Sequence, residues 1–205
     1  MMIAAIEQHP NSTNEFAPAF PLNLSAVKFT PAQFQDLCDT NRDLRLELTS
    51  TGELIFLAPT GWGTSRRNLK FIVQIGIWNE QTQLGMAFES SGGFVLPNGA
   101  QRSPDVAWVE KSRIEAFNPD PNKFLPLAPD FLIELRSASD RLSTIQEKMQ
   151  EYQANGVRLG WLIDPQHQRV EIYRINKETE ILQSPAQLSG EDILPEFILD
   201  LTDIW

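Results

Sequence analysis

Apolar and polar residues alternate through the segment LRLELTSTGELIFLAP on either side of Thr51-Gly52, the pattern of a β-hairpin turning on a glycine. Glu47 falls within its first strand. Ahead of it, Thr30-Pro31 reads as a helix cap and first turn, with Phe34 and Leu37 on one face of a helix running to about Thr40. From Thr64 to about Leu84, Leu69, Ile72, Val73 and Ile77 recur at helical spacing. Gly85 stands at the stop position, and Trp78 is expected to pack near the end. Short strands follow over 87–90 and 93–96, with turns at Gly92-Gly93 and Pro97-Asn98-Gly99.

The runs SPDVAWV and FLIELR are strand-like and are separated by a short helix near 110–117 and a proline-punctuated loop. Ser137 and Ser139 then stand where they would cap a helix beginning near Asp140. Its core face is Leu142, Ile145, Met149 and Tyr152, and Gly156 closes it. WLID and RVEIYRI read as strands, and a last apolar segment lies near 197–201. Residues 1–29, with Pro10, Pro18 and Pro21 among polar residues, read as an extended leader. Residues 30–205 read as one α/β domain with an N-terminal helix and β-hairpin.

Composition narrows the classes. With 205 residues the chain has room for one domain with a real core, and a hydrophobic share of 41% is that of a folded globular protein. No apolar run reaches the roughly 18 residues that a bilayer demands, so no membrane span is expected. The opening residues lack a basic head, so no export signal is expected and a cytoplasmic location is. Cys38 is the only cysteine and His9 and His167 the only histidines, which excludes an intrachain disulfide, a thiolate zinc site and a histidine-rich metal site. A net charge of -10 argues against binding nucleic acid by bulk charge. A local basic rim remains compatible with it, and metal-holding carboxylates add to the acidic total.

Candidate chemistry converges on Asp105, Glu134 and Lys148. In FLIELR, alternation puts Phe131, Ile133 and Leu135 on one face and Leu132, Glu134 and Arg136 on the other, so Glu134 interrupts an otherwise apolar strand. A carboxylate there must be paired, protonated or bound to a cation. If the strand after Asp105 pairs with that of Glu134, the two carboxylates form a hard oxygen site suited to Mg²⁺ or Mn²⁺. Lys148 borders the core face of the following helix and is in reach of the sheet.

Asp105, the strand FLIELRSASD, the helix bearing KMQEY and the run NGVRLGWLIDP resemble, in this order, the Uma-type restriction-endonuclease-like family. The likeness extends from about Arg45 to Trp205. That family is placed in the PD-(D/E)XK nuclease superfamily. The resemblance implies a mixed central β-sheet flanked by helices, cleavage of DNA with Mg²⁺ or Mn²⁺, and a homodimer that pairs two sites. It makes Asp105 and Glu134 the metal carboxylates and gives Lys148 the place of the lysine usually found two residues after the glutamate. Arg136 holds that position here, and arginine cannot act as a general base, though it can stabilise phosphate charge. The superfamily's acid on the first core helix is missing. Asn68 occupies a plausible place for it, and Glu47 can supply a carboxylate from another direction. Arg66, Arg67 and Lys70 are the candidates for phosphate contact on DNA.

Each residue also has a purely structural reading. Glu134 can be held by a salt bridge to Arg136 or Lys148. Lys148 can be a solvated helix residue paired with Glu147 or Glu151. Trp108 and Trp161 belong to the core, and Trp62 to a loop that contacts substrate or partner. Beside a metal-dependent endonuclease stand two alternatives: a binding or scaffold protein that keeps the nuclease fold without its chemistry, and an oligomeric structural protein.

Overall fold

Thr30 starts the first helix as its sequence requires. Its hydroxyl accepts from the Gln33 N–H and the Gln33 side chain returns to the Thr30 N–H, a closed capping box ahead of Pro31. The computed structural model describes residues 26–205, so the leader expected over 1–29 lies, up to residue 25, outside the described residues. Just before the helix, the Phe29 N–H donates to the Gly52 carbonyl at 2.8 Å and Lys28 pairs with Glu53. Gly52 has φ of 82°, and a Cβ there would stand 2.8 Å from the Phe29 oxygen, so this docking needs a glycine.

In chain order the elements are α1 (Pro31–Thr40), β1 (Leu46–Leu48), β2 (Leu54–Phe56), α2 (Trp62–Thr82), β3 (Gly85–Glu89), β4 (Phe94–Val95), β5 (Gln101–Arg102) and β6 (Val106–Glu110). There follow α3 (Lys111–Phe117), β7 (Phe131–Leu135), α4 (Leu142–Ala154), β8 (Leu159–Asp164), β9 (Arg169–Arg174), β10 (Glu180–Gln183), β11 (Gln187–Ser189) and β12 (Ile198–Asp200). The central sheet has the order β10-β9-β8-β7-β6-β3 and is mixed. Only β7–β8 is parallel, and α4 makes the crossover that a parallel pair needs. A second sheet, β2-β1-β5-β4, holds the hairpin, and β11–β12 form a two-stranded ribbon.

Alternation sorts the core into two faces. Val106, Trp108, Phe131, Ile133 and Leu135 pack with Phe71, Ile75 and Trp78 of α2 and with the C-terminal segment. Ala107, Val109 and Leu132 pack on the other face with Met149 and Tyr152 of α4. Trp108 and Trp161 are both core residues, as expected. Phe34 of α1 joins Leu46 and Leu48 in a third, smaller cluster beneath the hairpin.

Two expectations need correction, and the helical spacing within α2 needs its face assigned. The stripe Leu69, Ile72, Val73 and Ile77 is not the buried face of α2: only Ile72 packs on the core, and Phe71, Ile75 and Trp78 fill the interior. Both stripes have helical spacing, and the sheet chose the one carrying the bulky rings, which remove more apolar area from water. The helix also ends before Gly85. Gln83 takes the left-handed cap position (φ 56°) and Gly85 opens β3, where a Cβ would stand 2.3 Å from the Val109 carbonyl. Ser137 and Ser139 do not cap α4, whose cap residue is Arg141 without a side-chain bond. Asp140 instead accepts from the Ser137 N–H, and the two serine hydroxyls bond each other.

Candidate active site at the β6–β7 edge

Antiparallel register brings the two carboxylates face to face. Val106 is paired with Ile133, so one step beyond, Asp105 stands opposite Glu134. Asp105 ends the ladder with its side chain, since its Oδ2 accepts from the Leu135 N–H at 2.8 Å. Its Oδ1 accepts from the Asn68 side-chain amide at 2.8 Å, which ties the start of α2 to the start of β6. Burial pushes the Asp105 carboxyl up, and the Leu135 N–H and Asn68 amide recover only part of the shift.

Glu134 is buried in the middle of the sheet, as its interruption of an apolar strand predicts. Its Oε1 takes the Lys148 ammonium at 2.8 Å and the Tyr152 hydroxyl at 3.0 Å. Lys148 also reaches Glu47 at 2.9 Å, so one ammonium bridges the hairpin and the central sheet, and its partners are not the neighbouring Glu147 or Glu151. Glu47 is the polar position of the hairpin's alternation, yet it is buried, held by Arg102 at 3.1 Å and by the Ser103 N–H at 2.9 Å. Arg102 in turn pairs with Glu151 at 2.6 Å.

Charge settles unequally over this network. Burial pushes Glu134 up to about 7, with Lys148 opposing the shift and the negative charges of Asp105 and Glu47 adding to it. Glu47 is held below the usual range, because Lys148 and Arg102 together outweigh its burial. For Lys148 burial favours the neutral amine, but Glu134 and Glu47 win and hold it above its ordinary value. The ammonium therefore stays charged through neutral pH and is fitted to stabilise negative charge, not to take a proton.

Asp105, Asn68, Glu134, Lys148 and Glu47 thus converge; other sequence candidates do not join them. Arg136 is turned to Asp164 (2.9 Å) and to the Asp140 carbonyl, with His167 bonded to the same carboxylate. Arg67 donates to the Ile204 carbonyl and Lys70 pairs with Asp203, so two of the three basic residues at the start of α2 hold the C-terminal segment, while Arg66 is exposed. Two participants were missed in the sequence. Tyr152 lies four residues after Lys148, hence on the same helix face, and that spacing was the available signal. Arg102 had none, since Pro104 interrupts any alternation read backward from β6.

The donor set suits a small hard cation. Asn68 Oδ1 is buried without a partner while the amide nitrogen beside it serves Asp105. Among the described residues no group of three or more His, Cys, Asp or Glu side chains is gathered for a metal. A cation held between Asp105 and Glu134 would have two carboxylates and an amide oxygen from the protein, hard oxygen donors of the kind that Mg²⁺ and Mn²⁺ take, and would complete its shell with water.

Residues 31–202 match the Uma2 family, described as a putative restriction endonuclease. The chain belongs to the Uma2 family. Among solved structures, a putative nuclease belonging to DUF820 from Anabaena variabilis superposes with a TM-score of 0.73. It is 23% identical, over 86% of this chain and 97% of that one. At that identity the likeness establishes the nuclease-like mixed α/β fold that this Uma2 protein shares. No curated protein matches the chain. No helix among the described residues of this Uma2 protein is long and apolar enough to cross a membrane.

Proposed function

We propose that this Uma2 protein is a divalent-metal-dependent endonuclease that hydrolyses DNA phosphodiester bonds, with Mg²⁺ or Mn²⁺ as cofactor. The observation that carries the reading is the opposition of Asp105 and Glu134 across β6–β7, beside the unpartnered buried oxygen of Asn68. Asp105 and Glu134 would hold the cation, with Asn68 beside them. A bound cation of this kind lowers the pKa of a water molecule and neutralises charge developing on phosphorus. Lys148, kept charged by its two carboxylates, stabilises negative charge next to Glu134. Tyr152 fixes the Glu134 carboxyl by donating to Oε1, and Glu47 with Arg102 fixes Lys148 from the far side. Arg66, which makes no ion pair among the described residues, is the first candidate at the start of α2 for a DNA phosphate, followed by Arg67 and Lys70. Cutting two strands calls for two sites, so a homodimer belongs to this reading. So does a cytoplasmic setting, where the single Cys38 needs no oxidised partner.

A second reading, a binding or scaffold protein on a nuclease fold, is favoured by Arg136, which replaces the strand lysine and is bound to Asp164. Calorimetric titration with Mn²⁺ of wild type and Glu134→Ala, beside incubation of each with supercoiled plasmid, separates the two. The endonuclease is expected to bind Mn²⁺ and nick the plasmid, and the variant to do neither. A folded wild type that takes up no Mn²⁺ would establish the scaffold.

A further inference from the structure

The face of α2 that the core leaves out is a continuous stripe. At 3.6 residues per turn, Trp62, Arg66, Leu69, Val73, Ile77 and Glu80 all fall within about 40° of Val73 around the helix axis. The apolar members are open to solvent among the described residues: Trp62 is 84% exposed, Leu69 60%, Val73 47% and Ile77 55%. Leu84, between α2 and the edge strand β3, is exposed as well. A run of large apolar groups of this length is not the scattered exposure of an ordinary surface.

We infer that this stripe is a dimer interface on which α2 packs against α2 of a second copy of the chain, antiparallel, about a two-fold axis at Val73. The order of residues along the stripe is what identifies the occupant. A two-fold at Val73 sets Leu69 opposite Ile77 of the second copy and Arg66 opposite Glu80, with Trp62 falling just past the end of the second helix. Apolar then meets apolar, and the only two charges on the stripe meet with opposite sign, twice over. A shift by one turn in either direction loses this match and puts a charge against an apolar residue.

Gly76 supports close approach from outside. It sits inside α2, where glycine costs about 1 kcal/mol relative to alanine, yet a Cβ there would meet nothing within 4 Å of its own chain. No contact inside the protomer requires it. It is half-buried at the margin of the stripe and lines a groove of about 300 Å³ between α2 and β3, with Ile72 and Ala87. A helix laid along the stripe would close this groove.

The inference gives a surface to the homodimer of the proposed function and places Arg66 in it instead of on DNA; it rests on no residue of the Asp105–Glu134 network, so loss of the dimer and loss of metal binding or nicking are separate results. Sedimentation velocity on the full chain over 1–100 µM is the test, with folding of each variant checked by its melting curve. Wild type is expected to be a dimer, and Val73→Glu a folded monomer. R66E and E80R, which each put like charges across the axis, are expected to weaken the dimer at least tenfold. The R66E/E80R double variant, which restores opposite signs, is expected to recover it. A monomeric wild type overturns the inference, and so does a dimer indifferent to Val73→Glu and to the charge reversals. If a monomeric wild type dimerises once residues 1–25 are deleted, the stripe is covered by the chain's own N-terminal segment, and the inference again fails.

Discussion

Replacing Lys148 by methionine is expected to destabilise the protein by about 3–5 kcal/mol at pH 8, the usual cost of removing one partner from a buried ion pair. Methionine keeps the length and apolar character of the lysine stem, so packing beside Tyr152 survives and the loss is electrostatic. Two buried carboxylates, Glu47 and Glu134, lose their shared cation. Glu47 retains Arg102, while among the described residues Glu134 retains only the Tyr152 hydroxyl. Against a total stability of roughly 5–15 kcal/mol, such a loss leaves a marginal domain. Glu134 can escape by taking up a proton, so the deficit should be smaller at pH 6 than at pH 8. Urea unfolding of both proteins at the two pH values measures this. A variant within 1 kcal/mol of wild type at pH 8 would show that the bridge adds nothing.

The second large effect concerns Glu134 itself, with no divalent cation present. Its carboxyl is raised by burial to about 7 in the folded protein, from 4.5. The folded state therefore binds more protons than the unfolded state between these values, and its stability falls as pH rises from about 4.5 to about 7, then levels off. Glu134→Gln cannot titrate and lacks this fall, while Tyr152 can still donate to its carbonyl. Wild type is expected to lose ground to Glu134→Gln by up to about 1.4 kcal/mol per pH unit across the window, a few kcal/mol in all. Taking the difference cancels Asp105 and Glu47, to the extent that their own shifts are unaltered. Unfolding curves at pH 5, 6, 7 and 8 that run parallel for the two proteins would refute the raised carboxyl.

Much of this site was legible in the sequence because strand alternation is strict. Glu134 stood out as the polar residue on an apolar strand, Asp105 followed from the adjacency of two strands, and the α4 face from its 3-4-3 spacing. Glu47 was visible as a polar position of the hairpin, but alternation alone assigns such a position to solvent. Only the second sheet, bringing Arg102 and α4 over it, makes it a buried carboxylate. The buried face of α2 was not legible because that helix carries apolar residues on two sides, and periodicity does not say which of two stripes meets the sheet. Strands β5, β10 and β11 are two to four residues long and largely polar, so pairing with neighbours defines them and local pattern does not.

The placement of the tryptophans gives the molecule an optical property. Trp78, Trp108 and Trp161 are buried, with Trp78 and Trp161 both against Phe197, and Trp205 is partly covered. Trp62 alone stands open. An indole in water emits at longer wavelength than one in an apolar interior and is reached first by a dissolved quencher. Red-edge emission therefore reports on a single spot of the surface, the start of α2, with no dye attached, and its quenching will register whatever comes to rest there.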